Sequence, residues 1–106
     1  MKIYYPAAIH KDADSDYGVS FPDVPGCISA GSSYREAMTQ AAEALAFHFS
    51  GMAEDGEELP MPTTVERWVE DPDFTEATWV LVALDAAALD EAAALQVSGW
   101  RLETAA

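Results

Sequence analysis

Asp16-Tyr-Gly-Val-Ser-Phe-Pro-Asp-Val-Pro-Gly-Cys27, followed almost at once by Gly31-Ser-Ser-Tyr-Arg-Glu-Ala37, decides the fold of this chain. Tyr17, Val19 and Phe21 alternate with Gly18, Ser20 and Pro22, which is the period of a half-buried strand. Pro22 and Pro25 cannot donate to a sheet ladder, and each turns the residue before it away from helix. The chain must therefore corner there, and Gly26 supplies the free φ that the corner needs. Ser33-Tyr-Arg-Glu36 then fits a capping box, with Glu36 at the third helical position answering the Ser33 cap.

Working outward, residues 2–10 read as a strand with Ile3, Tyr5, Ala7 and Ile9 on one face and Lys2, Tyr4 and His10 on the other. Pro6 conflicts mildly with that reading and points to an edge or a bulge. Lys11 to Asp16 is a polar hairpin loop, and strand 17–22 runs back from it. A third short strand near 27–30 leads into a helix over 34–53. Tyr34, Met38, Ala41, Leu45, His48 and Met52 form its expected buried stripe, widened by Ala37, Ala42, Ala44 and Phe49. Thr78-Trp-Val-Leu-Val-Ala-Leu84 is apolar on both faces, which predicts a strand interior to the sheet. Asp85 is positioned to cap an alanine-rich helix running to about Leu95. These elements predict an α+β fold: a small antiparallel-rich sheet of three strands, a long helix, a fourth strand and a short C-terminal helix.

The ordered set of motifs resembles the HicB-like antitoxins of type II toxin–antitoxin pairs. The likeness covers roughly residues 3 to 63: the Tyr4-Tyr5-Pro6 strand, Phe21 to Cys27, Gly31 to Ala37, Ala44-Leu45, His48, Asp55-Gly56-Glu57 and Leu59-Pro60-Met61-Pro62. The resemblance implies a partial ribonuclease-H-like module that binds a small basic ribonuclease toxin and blocks it. Many members also carry a C-terminal DNA-binding domain that represses their own operon. Here residues 85–106 hold one cation, Arg101, and are short for such a domain. The expected organisation is thus an antitoxin domain over 1–84 and a helix and tail over 85–106, with no recognisable DNA-binding domain.

Composition agrees with a cationic partner. Nineteen acidic residues against five basic give a formal net charge of −14 over 106 residues. Such a charge repels phosphate backbones, whose affinity for proteins comes mainly from Lys and Arg, and steers encounter with a basic protein. Asp12, Asp14, Asp16 and Asp23 are the candidate toxin-binding acids, together with the run Glu54 to Glu58, and Tyr4 is a candidate apolar anchor. Two other roles compete: an autorepressor of its own operon, and an acidic oligomeric domain with no toxin partner.

Nothing in the sequence points to an enzyme, a cofactor or a metal. His48 falls on the apolar helix stripe and reads as a hydrogen-bonded core or boundary histidine, and His10 reads as solvated. Neither has a nucleophile at motif spacing, and no HExxH or CxxC pattern occurs. Asp12, Asp14 and Asp16 superficially suggest a calcium loop. Its sixth and twelfth positions would hold Tyr17 and Asp23, where a glycine and a bidentate glutamate are needed.

Cys27 is alone, the N-terminus lacks the pattern of a signal peptide, and no apolar run spans a bilayer, so the expected location is cytoplasmic. Leu89, Leu95, Val97, Trp100 and Leu102 are more apolar surface than a free tail should expose. A homodimer or higher homo-oligomer is expected, with residues 86–106 as a homodimer contact; the alternative is a tail folded back on its own sheet.

Overall fold

The computed structural model describes residues 1–100. Strands β1 (Lys2–Lys11), β2 (Tyr17–Ser20) and β3 (Ile28–Gly31) precede the long helix α1 (Tyr34–Glu54). A single helical turn, α2 (Val65–Trp68), and a 3-10 turn (Pro72–Phe74) follow. Strand β4 (Thr78–Asp85), a second 3-10 turn (Ala86–Ala88) and helix α3 (Glu91–Ser98) complete the described chain. All pairings are antiparallel, in the order β3-β2-β1-β4.

The double-proline corner is two consecutive turns. Val24 N–H bonds to Phe21 O and Cys27 N–H to Val24 O, both at 3.0 Å. Pro25 leads the second turn and Gly26 follows at φ +89°, the arrangement a type II turn requires. The corner returns the chain in register, with Phe21 N–H reaching Cys27 O at 3.3 Å.

Helix α1 starts as its sequence dictates. Ser33 is the N-cap, and its hydroxyl accepts from Glu36 N at 3.1 Å. The Glu36 carboxylate answers one residue earlier than a capping box would have it, taking Ser32 N and the Ser32 hydroxyl. Ser32 offers two donors side by side, so both carboxylate oxygens are used there. At the other end Glu57 N–H bonds to Met52 O and Gly56 N–H to Ala53 O, with Gly56 at φ +77°. This is a Schellman ending.

The buried stripe of α1 is rotated from the expected one. Ala37, Ala41, Leu45, Phe49 and Ala53 face the sheet, whereas Tyr34 is exposed and Met38, His48 and Met52 flank the contact. Three alanines on the stripe bring the helix close to the strands and push the bulkier side chains to its sides. The inner sheet face offers Ile3, Tyr5, Ala7 and Ile9 of β1, Val19 of β2, and Val82 and Leu84 of β4. Tyr5 meets Phe49 edge-on, ring centroids 5.4 Å apart.

Three further expectations change. Strand β4 lies at the edge of the sheet, beside β1 alone, and not in its interior. Its outer face looks apolar because Trp79 packs on Phe74, at 5.7 Å between centroids, and not because a second strand covers its edge. Pro6 sits in the central strand β1, opposite Leu81. It costs no ladder bond, because the β1–β2 pairing starts only at Ala8↔Ser20 and Pro6 lies past the end of β2. The single helix expected after Asp85 is two pieces. Asp85 caps only the 3-10 turn, and Leu89 is extended. Asp90 then caps α3 through Ala93 N at 2.9 Å.

Helix α3 belongs to the same core. Ala93 and Val97 are buried in it and Trp100 packs against it. Gln96 ties down the loop after α1, donating to Glu57 O and accepting from Leu59 N, each at 2.9 Å. Most of the apolar residues assigned above to a subunit contact are therefore used inside the chain. Leu95 is exposed, and Arg101 and Leu102 lie outside the described residues.

Candidate functional site

The hairpin between β1 and β2 presents Asp12, Asp14 and Asp16 to solvent, all three exposed. Ser15 shapes the loop. Its N–H bonds to Asp12 O at 3.2 Å, and its hydroxyl accepts from Asp12 N at 3.2 Å. Lys11, the nearest cation, donates to the Asp12 carbonyl and lies over the Tyr17 ring. The aspartate side chains are left pointing outward as a compact negative tip. Among the described residues no group of three or more His, Cys, Asp or Glu side chains converges to hold a metal ion.

Asp23 does something different. Its carboxylate accepts from Thr63 N at 2.8 Å, the Thr63 hydroxyl at 2.6 Å and Trp68 Nε1 at 3.0 Å. It fastens the proline corner to the segment that crosses the outer face of the sheet. Tyr4, half exposed, lies near the opposite end of β1 from the hairpin, in register with Ala83. The structure thus brings Asp12, Asp14 and Asp16 together and leaves Tyr4 and Asp23 apart from them.

The second acidic run, Glu54, Asp55, Glu57 and Glu58, surrounds the C-terminus of α1 and is fully on the surface. Carboxylates at that end of a helix oppose its dipole, so the local field there is strongly negative. Glu54 lines a shallow groove with Asp90 and Glu91 at the start of α3, and the exposed Leu95 lies beside them.

Residues 65–74, joined by Trp79 of β4, form an aromatic strap over the outer sheet face. Trp68, Phe74 and Trp79 contact one another in turn, at 6.1 and 5.7 Å. Between the strap and the corner runs an open groove of about 370 Å³, floored by Phe21, Pro22, Trp68 and Phe74, with Asp71 and Asp73 on its rim. The three aromatics were the available signal, but which face they covered depended on Asp23, forty-five residues from Trp68.

Among the described residues no polar or charged side chain is buried apart from the phenol of Tyr5, which donates to Pro60 O at 2.6 Å. Burial, with the Asp23 charge as a lesser cause, raises that phenol above its ordinary range. Burial also pushes the Cys27 thiol up to about 11, which keeps it protonated and unreactive. His48 rests against the corner, its Cε1 3.7 Å from where a Cβ on Gly26 would stand.

This arrangement of sheet, helix and acidic loops is that of an antitoxin family. Residues 5–98 match the family described as HicB_like antitoxin of bacterial toxin-antitoxin system, and the chain belongs to it. Its sequence is 46% identical over 81 residues to an uncharacterized 14.9 kDa protein in the rep-hol intergenic region of Haemophilus phage HP1, covering 76% of this chain and 60% of that protein. It is 33% identical over 78 residues to Antitoxin HicB 1 of Photorhabdus laumondii, covering 74% of this chain and 50% of that one. The chain therefore spans half to three-fifths of the length of these curated relatives. Among solved structures, the Burkholderia pseudomallei antitoxin HicB superposes with a TM-score of 0.74 at 33% identity, over 98% of this chain and 75% of that one. A chain of the HicA3 and HicB3 toxin-antitoxin complex superposes with a TM-score of 0.63 at 30% identity, over 78% of this chain and 96% of that one.

Proposed function

We propose that this chain neutralises a small basic ribonuclease toxin by covering its cationic surface, with no reaction of its own. The observation that supports this most is the family match over residues 5–98, together with the likeness to a chain from a toxin-antitoxin complex. The physical chemistry agrees. A protein that grips RNA presents Lys and Arg to phosphates, and this chain carries a formal net charge of −14 with its acids grouped on exposed loops. Asp12, Asp14 and Asp16 steer the encounter, Tyr4 adds an apolar contact, and Asp23 holds the corner and strap in place. The strap groove suits an aliphatic cationic side chain, its stem over Trp68 and Phe74 and its charge at Asp71 and Asp73.

The association rate with the toxin is expected to fall by at least about tenfold from low to high salt, since steering between opposite charges is screened. The triple variant Asp12→Asn, Asp14→Asn, Asp16→Asn should lower the rate and flatten its salt dependence. A matching variant with Glu54, Asp55, Glu57 and Glu58 neutralised tells which acidic face leads. Stopped-flow mixing reads all three. A wild-type rate independent of salt would rule out charge complementarity as the driver.

A further inference from the structure

Strand β3 is the edge of the sheet that adjoins the proline corner. Phe21 N–H reaching Cys27 O marks that pair as bonded, and the register continues as Ser20↔Ile28, Val19↔Ser29 and Gly18↔Ala30. Bonded and non-bonded pairs alternate along an antiparallel ladder. Ile28 and Ala30 therefore turn their N–H and C=O groups away from β2, toward the open side of the sheet. Among the described residues none of these groups has a backbone partner outside the ladder. Ile28 is 72% exposed, and Ala30 is exposed as well.

Acids border this edge at both ends. Ile28 is a wall of the groove between strap and corner, together with Trp68 and Phe74, and Asp71 and Asp73 stand on the rim. No Lys or Arg lines that groove, and Arg67, over the Trp68 ring, is not among its walls. At the far end Gly31 lies opposite Tyr17, so the next residue out comes level with Asp16 and the hairpin acids. Lys11 is turned onto the Asp12 carbonyl and the Tyr17 ring. Arg35 and Glu36 follow in the first turn of α1 and offset each other in charge.

We propose that β3 takes an extended basic segment of the toxin as an added strand, with one of its Lys or Arg side chains in the strap groove. This rests on the toxin reading and gives it a docking surface. Ile28 and Ala30 hold the segment by its backbone, and the groove reads its side chain, which is how strand addition divides affinity from specificity. Residues paired across strands share a face. The residue opposite Ile28 therefore projects to the outer face, where the groove lies. Its stem packs over Trp68 and Phe74, and its charge meets Asp71 and Asp73. Strand side chains return to the same face at every second residue. A second basic residue four places along thus projects outward again, level with Asp16. Charge selects the occupant. A second copy of this chain, also at −14, would bring acids to acids, whereas a basic segment answers them with cations.

Amide hydrogen exchange, read by NMR on the intact chain alone and with the product of the adjoining reading frame, locates the contact. The Ile28 and Ala30 amides should exchange freely in the chain alone and slow by at least about tenfold in the complex. Ala30→Pro removes an outward donor at an edge position where proline is tolerated. It should speed dissociation by at least about tenfold at an unchanged melting temperature. Ala30→Ser keeps the donor and should dissociate as the wild type does. Asp71→Asn combined with Asp73→Asn keeps an acceptor for the turn that Asp71 caps, and should also speed dissociation by about tenfold. A stable complex whose Ile28 and Ala30 amides stay open would overturn this docking surface and leave the toxin reading standing. So would wild-type dissociation from Ala30→Pro or from the aspartate pair. No binding by the wild-type chain would overturn both. A lower mass of the free chain on Ala30→Pro would give this edge to a second copy and likewise overturn the proposal.

Discussion

Phe49→Ala is expected to cost about 3–5 kcal/mol, the range for a large aromatic removed from a close-packed core. Phe49 is fully buried on the α1 stripe, and its ring meets the Tyr5 ring at 86°. Its loss removes both the burial and the edge-to-face contact. It also leaves a cavity that Ala53, one turn further along the stripe, is too small to fill. Total stabilities of domains this size are about 5–15 kcal/mol, so a large fraction is at stake. Urea unfolding should show a lower midpoint with an unchanged slope. A loss under about 1 kcal/mol would mean that the helix does not key into the sheet through this residue.

Gly31→Ala is expected to be nearly as damaging, for a steric reason. A Cβ at Gly31 would stand 2.4 Å from Ala37 N and 2.7 Å from Ala37 Cα, both backbone atoms of the first turn of α1. Neither can move without shifting the helix start, so a loss of about 1–3 kcal/mol or more follows from overpacking. Gly51→Ala makes the contrast. It lies on the exposed side of α1 with no atom within 4 Å of its added Cβ, and should stabilise by about 0.5–1 kcal/mol. Thermal melts of the two variants should therefore move in opposite directions.

How much of this was legible in the sequence depends on whether the cause was local. The corner, the Ser33 cap and the extent of α1 come from residues within a few positions of each other, and all were readable. The α+β class and the family resemblance followed from them. Spacing alone does not separate Ala37-Ala41-Leu45-Phe49 from the neighbouring Met38, His48 and Met52, so it rotates the expected stripe of α1. The close approach made possible by the alanines decides it. A run apolar on both faces, like that of β4, reports covered faces and says nothing of its edges, so it does not tell an interior strand from an edge one. Its cover comes from the strap, and the strap is set by the bonds of Asp23 to Thr63 and Trp68.

The candidate site was less readable for a related reason. Asp12, Asp14, Asp16 and Asp23 look alike in sequence, yet three project into solvent and the fourth is engaged by three donors. Tyr4 is legible as an exposed aromatic, but that Leu81 of β4 is exposed on the same face depends on the pairing of β4 with β1.

The most direct measurement takes the product of the adjoining reading frame, which the account expects to be a small basic protein, and assays its RNA cleavage with increasing amounts of the chain added. Cleavage should fall to background as the two reach equal numbers of chains, in step with formation of a complex that resists gel filtration at low salt. Undiminished cleavage in the presence of excess chain, with no complex formed, would contradict the antitoxin account.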